Sequence, residues 1–164
     1  MMEYFKNGNL SDLVELQRIS QTAYVEAFYD LLDKEDIKEY VNNKYSPEHL
    51  EKEIRDMVNR FLLFYVDGKV VGYMKYILKP NSLEIDRLYM LKSFKGMGAG
   101  SQFMTKAEDV AKTNGKKVLT LGVLEINKPA ITFYKKRGFM QFSSESVLIG
   151  KTKYSLLLMK KELT

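Results

Sequence analysis

The sequence predicts a mixed α/β layered fold, and three observations carry that reading. Apolar residues recur at three- and four-residue steps in some stretches and in short β-prone runs in others, so helices and strands both occur. Their order along the 164 residues is β-α-α-α-β-β-β-α-β-α-β-β. The stretch from Leu83 to Val123 is a βαβ unit, which makes its two strands parallel neighbours with a right-handed crossover. No internal repeat, low-complexity tract or composition break divides the chain, so residues 1–164 are expected to form one domain.

In chain order, Met2 to Lys6 is a short first strand and Asn7-Gly8-Asn9 a turn. Asn9 or Ser11 can cap a helix whose apolar stripe is Leu13, Leu16, Ile19, Ala23 and Ala27. A second helix carries Ile37, Tyr40, Val41 and Lys44. A third opens at Ser46-Pro47, a cap followed by a first-turn proline, and shows Leu50, Ile54, Met57 and Val58. His49 falls in its first turn with no neighbour in sequence that gives it a chemical role. Phe61 to Val66 is an apolar strand, Asp67-Gly68 a two-residue hairpin turn, and Lys69 to Leu78 its antiparallel partner. After the turn Pro80-Asn81-Ser82 comes a strand marked by Leu83, Ile85, Leu88 and Met90, its apolar character broken by Glu84, Asp86 and Arg87. The helix over 98–113 stops near Asn114-Gly115. Lys117 to Val123 is a buried strand, and the helix from Asn127 to Arg137 ends in three cations that suit the negative end of its dipole. Phe139 to Ile149 and Lys153 to Lys160 are the last two strands.

Composition narrows the chemistry. The chain is 45% hydrophobic and 29% charged, as a globular protein is, and has no cysteine and one histidine. Thiol nucleophiles, disulfides, cysteine-metal sites and multi-histidine centres are thereby excluded, and no metal is expected. The first residues lack the apolar core of a signal peptide and no apolar run reaches membrane-spanning length, so a cytoplasmic protein is expected. A net charge of +5 favours anionic ligands. The lysines are scattered rather than gathered in a stripe beside aromatics, which is the pattern of a solvated basic surface and not of a nucleic-acid partner. Against that background residues 26–39 hold six carboxylates and two lysines, a local charge of −4. This is either a solvated helix face or an acidic rim able to attract a polycation.

The most informative stretch is Lys95-Gly96-Met97-Gly98-Ala99-Gly100-Ser101. First-turn N–H groups have no partner within a helix, and the dipole adds positive charge there. Glycine removes the Cβ that would hold a ligand off the backbone, so a phosphate or pyrophosphate could sit at this turn, with Lys95 as a mobile cation. The turn could equally be a tight connection without a ligand. No Lys-Ser or Lys-Thr follows the glycines, and Ser101 stands where a dinucleotide fingerprint needs its third glycine, so both usual nucleotide motifs fail.

What these residues resemble is the acetyl-CoA pyrophosphate loop of the GNAT superfamily of N-acetyltransferases, [RQ]-x-x-G-x-[GA]. Lys95 departs from the usual Arg or Gln; this loses two-point phosphate geometry but keeps the charge. A second block, Leu121 to Phe139 (LGVLEINKPAITFYKKRGF), resembles the family's asparagine-helix-tyrosine region, and the wording is most similar to the bacterial spermine/spermidine branch. The resemblance implies a mostly antiparallel twisted sheet with a central, splayed parallel strand pair and helices on both faces. It implies acetyl-CoA as acetyl donor, bound by the main chain of Leu88, Tyr89 and Met90 along its pantetheine arm, with Lys95 to Ser101 on the pyrophosphate. Tyr134 takes the general-acid position that protonates the departing thiolate, unless it is a buried aromatic with a satisfied hydroxyl. Asn127 is a helix cap, a cofactor contact or both.

Glu84 and Asp86 share one face of their strand by period two and could relay the proton lost by the attacking amine, or could pair with nearby lysine or arginine. Tyr73 and Tyr76 are lesser acceptor-site candidates; the scattered methionines read as packing. The expected reaction is acetyl transfer to a primary amine of a small molecule, a polyamine first among them. A protein N-terminus or an antibiotic amine fits the same motifs, as does a non-catalytic acyl-CoA sensor. Neither nucleic acid nor membrane is an expected partner, and a homodimer is left open.

Overall fold

A computed structural model describes residues 1–164. The elements are β1 (Glu3–Asn7), α1 (Leu13–Phe28), α2 (Lys34–Lys44), α3 (Pro47–Arg55), β2 (Asn59–Val66), β3 (Lys69–Leu78), β4 (Ser82–Met90), α4 (Ala99–Thr113), β5 (Val118–Leu124), α5 (Lys128–Lys136), β6 (Met140–Ile149) and β7 (Thr152–Glu162). Local chemistry accounts for their ends. The Asn9 side chain accepts from the Ser11 N–H while Asp12 reaches back to the Asn9 N–H, a reciprocal cap ahead of α1. Ser46 accepts from the His49 N–H with Pro47 in the first turn of α3. Asp67 and Gly68 both take positive φ, 48° and 83°, as a two-residue hairpin turn requires. The α3 helix ends earlier than its apolar spacing implied. Asp56 is already extended, the Asn59 side chain binds the Glu53 carbonyl, and Met57 and Val58 lie on the surface, 73% and 56% exposed.

One seven-stranded sheet runs in the order β1-β2-β3-β4-β5-β7-β6. All neighbours are antiparallel except β4 and β5, which are parallel on either side of α4, as the βαβ unit predicts. Two cores cover the two faces. On one, Phe103, Met104 and Ala107 of α4 and Ile131 of α5 pack on Leu83, Ile85, Leu119 and Leu121. On the other, Leu16, Ile19 and Tyr24 of α1, Ile37 and Val41 of α2 and Leu50 of α3 pack on Leu63, Val70 and Tyr73. Each fully buried side chain of this size contributes roughly 1.5–3 kcal/mol. No helix is long and apolar enough to cross a membrane.

Candidate active site

The two parallel strands part company near the middle of the sheet. Their ladder runs from Ser82↔Val118 to Ile85↔Leu121 and goes no further. At the same point β4 carries a bulge: Ile85 faces Tyr76 of β3, Arg87 faces the next residue Lys75, and Asp86 is the extra residue between them. Beyond it β5 keeps only β7, with which it pairs along its whole length from Val118↔Glu162 to Leu124↔Leu156. The β5-side edge of β4 over Arg87–Met90 is therefore left without a strand partner. The bulge also shifts which residues face which core. Leu83 and Ile85, then Leu88 and Met90, lie on the α4 face, while Arg87 and Tyr89 turn toward α1–α3. The three-residue step from Ile85 to Leu88 in the sequence is the trace of this bulge.

The parted edge leads straight into the glycine turn. After Met90 a short 3₁₀ turn, Lys92–Phe94, is anchored by its first N–H donating to Glu26 of α1 at 3.0 Å. Gly96 and Gly98 then take φ of 86° and 81°, conformations an L side chain rarely adopts, and a Cβ on either would meet nothing within 4 Å. Their open side faces the start of α4, where Gly98 offers no side-chain cap and the first turn holds no acidic residue. Ala99 is buried beneath the turn, and a Cβ on Gly100 would stand 3.3 Å from the Phe133 ring. Ser101, in that first turn, is hydrogen-bonded by Arg137 from the end of α5. Bare N–H groups, unobstructed space and the cations Lys95 and Arg137, with no carboxylate in that first turn, fit a diphosphate. The Lys95 side chain is exposed and Met97 half-buried.

The α5 helix flanks the same face. Asn127 caps it, its side-chain oxygen accepting from the Ala130 N–H at 3.4 Å. Tyr134 is half-buried between Phe133 and Phe139, with ring centroids 5.4 and 5.7 Å away. Burial pushes its phenol up to about 12, so it stays protonated at neutral pH.

The opposite, α1–α3 face is aromatic and charged. Tyr24, Tyr40, Tyr45, Tyr73 and Tyr89 form a continuous group of ring contacts with Phe28. Tyr73 belongs to this group, but Tyr76 lies in the α4-side core, since positions an odd number apart on one strand point to opposite faces. Glu84 is 2.7 Å from Lys79 and sits in the paired part of β4, opposite Thr120. Asp86, at the bulge, is 2.8 Å from Lys75. Glu53, Lys75 and Arg87 complete a cluster that sequence reasoning did not assemble. Burial pushes the Glu53 carboxyl up, but the hydrogen bonds and charges of Arg87 and Lys75 outweigh it and hold the group below the usual carboxylate range. His49, 3.7 Å from Glu53, is held below its usual value by burial against that carboxylate's opposing pull.

Half of the acidic residues in 26–39 have structural partners. Glu26 anchors the 3₁₀ turn ahead of the glycines, Asp33 caps α2, and Asp36, buried at 4% exposure, accepts from the Lys151 N–H at 2.8 Å and from the Thr152 hydroxyl at 2.5 Å. These bonds tie α2 to the turn between β6 and β7. Beside them lies a groove of about 590 Å³ lined by Asp33, Glu35, Asp36 and Glu39 with only Lys38 and Lys151 as cations.

This fold and turn agree with the comparisons to known proteins. Residues 19–139 match the model of the acetyltransferase (GNAT) family, and the chain belongs to that family. It is accordingly an acetyl-CoA-dependent N-acetyltransferase. It is 34% identical over 160 residues to an N-acetyltransferase in the pepI 3′ region of Lactobacillus delbrueckii subsp. lactis, covering 93% of this chain and 92% of that one. It is 26% identical to the spermidine N(1)-acetyltransferase of Thermoplasma acidophilum over 89% of this chain and 94% of that one. The crystal structure of the PaiA N-acetyltransferase of Thermoplasma acidophilum in complex with coenzyme A has the same fold, with a TM-score of 0.85 over 99% of this chain and 100% of that one at 23% identity.

Proposed function

We propose that the chain acetylates a primary amine of a small molecule, a polyamine by preference, through direct attack on the thioester of acetyl-CoA in a ternary complex in the cytoplasm. The observation that carries this reading is the stop of the β4–β5 ladder at Ile85↔Leu121, in the strand that leads to a turn whose two positive-φ glycines leave open space at a helix start. The pyrophosphate rests on Lys95 to Ser101. The amide-rich arm lies along Leu88, Tyr89 and Met90 as a pseudo-strand, and a main-chain N–H there polarises the acetyl carbonyl. Asn127, besides capping α5, is assigned as a contact of the cofactor in this reading. The neutral amine approaches from the α1–α3 face, its nitrogen forms the bond to the acetyl carbon, and the carbon–sulfur bond breaks. Tyr134 donates its hydroxyl proton toward the departing sulfur. A free thiol has pKa ~8.5, so transfer from a phenol at about 12 is uphill in water. The same burial that raises the phenol also raises the sulfur's proton affinity, which narrows the gap. The proton released by the amine passes through water to a β4 carboxylate. Glu84, paired with Lys79, is one candidate; Asp86, at the opening of the slot and paired with Lys75, is the other.

The preference for polyamines is supported by the acidic groove between α2 and the β6–β7 turn and by the similarity to a spermidine acetyltransferase. The test is calorimetry with acetyl-CoA followed by thiol release over spermine, spermidine, aminoglycosides and short peptides. Acetyl-CoA binding with fastest turnover on spermine or spermidine is the expected result. Turnover confined to a peptide or an aminoglycoside would move the acceptor to that class. Tight binding with no turnover on any amine would make the protein an acyl-CoA sensor.

A further inference from the structure

The bulge that opens the slot is gripped by a charged cluster of which only Asp86 enters the chemistry above. Arg87 Nη1 and Nη2 donate to Glu53 Oε1 and Oε2 at 3.0 and 2.6 Å, a two-point contact reaching from α3 to β4. Lys75 Nζ, on β3, donates to Glu53 Oε2 at 3.0 Å and to Asp86 Oδ2 at 2.8 Å. Lys75 and Arg87 are thus linked through the Glu53 carboxylate, and Lys75 carries the link on to Asp86, the extra residue of the bulge. The cluster is deep: the side chains of Lys75, Arg87 and Glu53 are 8%, 9% and 12% exposed. The Arg87 guanidinium lies over the Tyr45 ring at 5.1 Å.

Such a cluster is a poor way to gain stability. Desolvating three charged groups offsets most of their mutual attraction, and well-packed apolar side chains would join α3 to the sheet equally well. What apolar side chains would not do is choose a register. Without the bulge, the positions beyond Ile85 would change faces, placing Arg87 in the α4-side core and Leu88 among the tyrosines. That alternative buries an arginine with no partner. The cluster therefore penalises the straight strand, which is the form of β4 able to continue its ladder with β5.

We propose that Glu53 is a positioning residue for acetyl transfer: by holding Arg87 and Lys75 across the bulge at Asp86, it keeps β4 parted from β5 and sets where the main chain of Leu88–Met90 meets the thioester. The effect on turnover rests on the acetyl-transfer reading above; the effect on the strand does not. Two variants test it. Glu53→Gln removes the charge and keeps the shape. The triple variant Glu53→Leu/Lys75→Met/Arg87→Met replaces the buried ions with apolar side chains, so loss of fold is not its expected outcome. Melting temperature, amide hydrogen exchange along 86–90, and kcat and KM are measured on all three proteins.

The expected result is a triple variant that melts near the wild type, with exchange at 87–90 changed about tenfold while α4 amides exchange as before. Its kcat falls about a hundredfold, the order a misplacement of one ångström produces, with a smaller change in KM for acetyl-CoA. Glu53→Gln falls between the two. Wild-type exchange and kcat in a folded triple variant would overturn the proposal, and so would loss of the fold in both variants, which would assign the cluster to stability. If the wild type itself bound no acetyl-CoA, the acetyl-transfer reading would fail and the exchange data would judge the positioning of β4 alone.

Discussion

The Tyr134 hydroxyl is raised by burial alone, with no charged neighbour contributing. Its proton is therefore retained throughout the range in which an alkylammonium substrate, with pKa ~10.4, loses its own. Two consequences follow at this residue. Tyr134→Phe keeps the ring contacts with Phe133 and Phe139 and removes only the donor. Turnover should fall about a hundredfold while acetyl-CoA affinity stays within about twofold, as thiol release and calorimetry would show; unchanged turnover would remove Tyr134 from the reaction. The wild-type kcat/KM should also climb with pH as the free amine accumulates, with no falling limb from this phenol below the pH of about 12 at which it ionises. A descending limb near pH 9 that vanishes in the phenylalanine variant would contradict this burial.

At the scale of elements, two turns govern what the sheet presents. The glycine turn before α4 needs left-handed backbone at Gly98, φ 81°. Gly98→Val faces both that conformation and the ligand, since a left-handed residue with a Cβ is strained by about 1–2 kcal/mol and its branched side chain stands between phosphate and N–H. Acetyl-CoA affinity should drop at least about tenfold; retained affinity would place the pyrophosphate elsewhere. The second turn lies between β6 and β7. A Cβ on Gly150 would fall 2.2 Å from Asp36 Oδ1, at a φ of 61°. Gly150→Ala must push Asp36 away from the Lys151 N–H and the Thr152 hydroxyl, so α2 should loosen from the sheet edge. A stability loss of about 1–3 kcal/mol in urea is expected, together with faster amide exchange in α2. A wild-type midpoint would show that this contact is not holding the helix.

For the whole molecule, the buried ionisable groups define a window of stability. Desolvation raises the carboxyl of Asp12, but hydrogen bonds and charge from Lys6 with the Asn9 N–H outweigh it, and the group ends lowered, as Glu53 does; the Lys151 N–H and the Thr152 hydroxyl lower Asp36. An unfolded carboxyl titrates near ~4, so below that pH the unfolded chain binds more protons and stability is lost as pH falls through the lower folded values. Burial raises Tyr24, Tyr45, Tyr73 and Tyr89 above their ordinary value. There the native state keeps protons that the unfolded state releases near pH ~10, so stability is lost as pH rises from that point. Urea midpoints measured from pH 3 to 11 should form a plateau between about 5 and 9 with falling flanks on both sides. A flat alkaline flank would mean that the tyrosine group is hydrated.

Much of this was legible along the chain because it is local. Period, caps and turn residues act over a few positions, so the element order, the Ser46-Pro47 helix start, the Asp67-Gly68 hairpin and the glycine turn follow from neighbours in sequence. The parallel pairing of β4 and β5 follows as well, because chain connectivity and handedness leave one arrangement. Folding alone brought Glu53, Lys75 and Arg87 together from three separate elements, because long-range ion pairs leave no periodic trace. It also settled that Asp36 is spent on Lys151 and Thr152, and that Tyr73 and Tyr76 look to opposite cores. The step from Ile85 to Leu88 was visible in the letters, yet its meaning as a bulge depended on what β3 and α3 set against it. Short-range sterics wrote the parts of this protein, and the burial of charge against distant partners decided how far its two central strands stand apart.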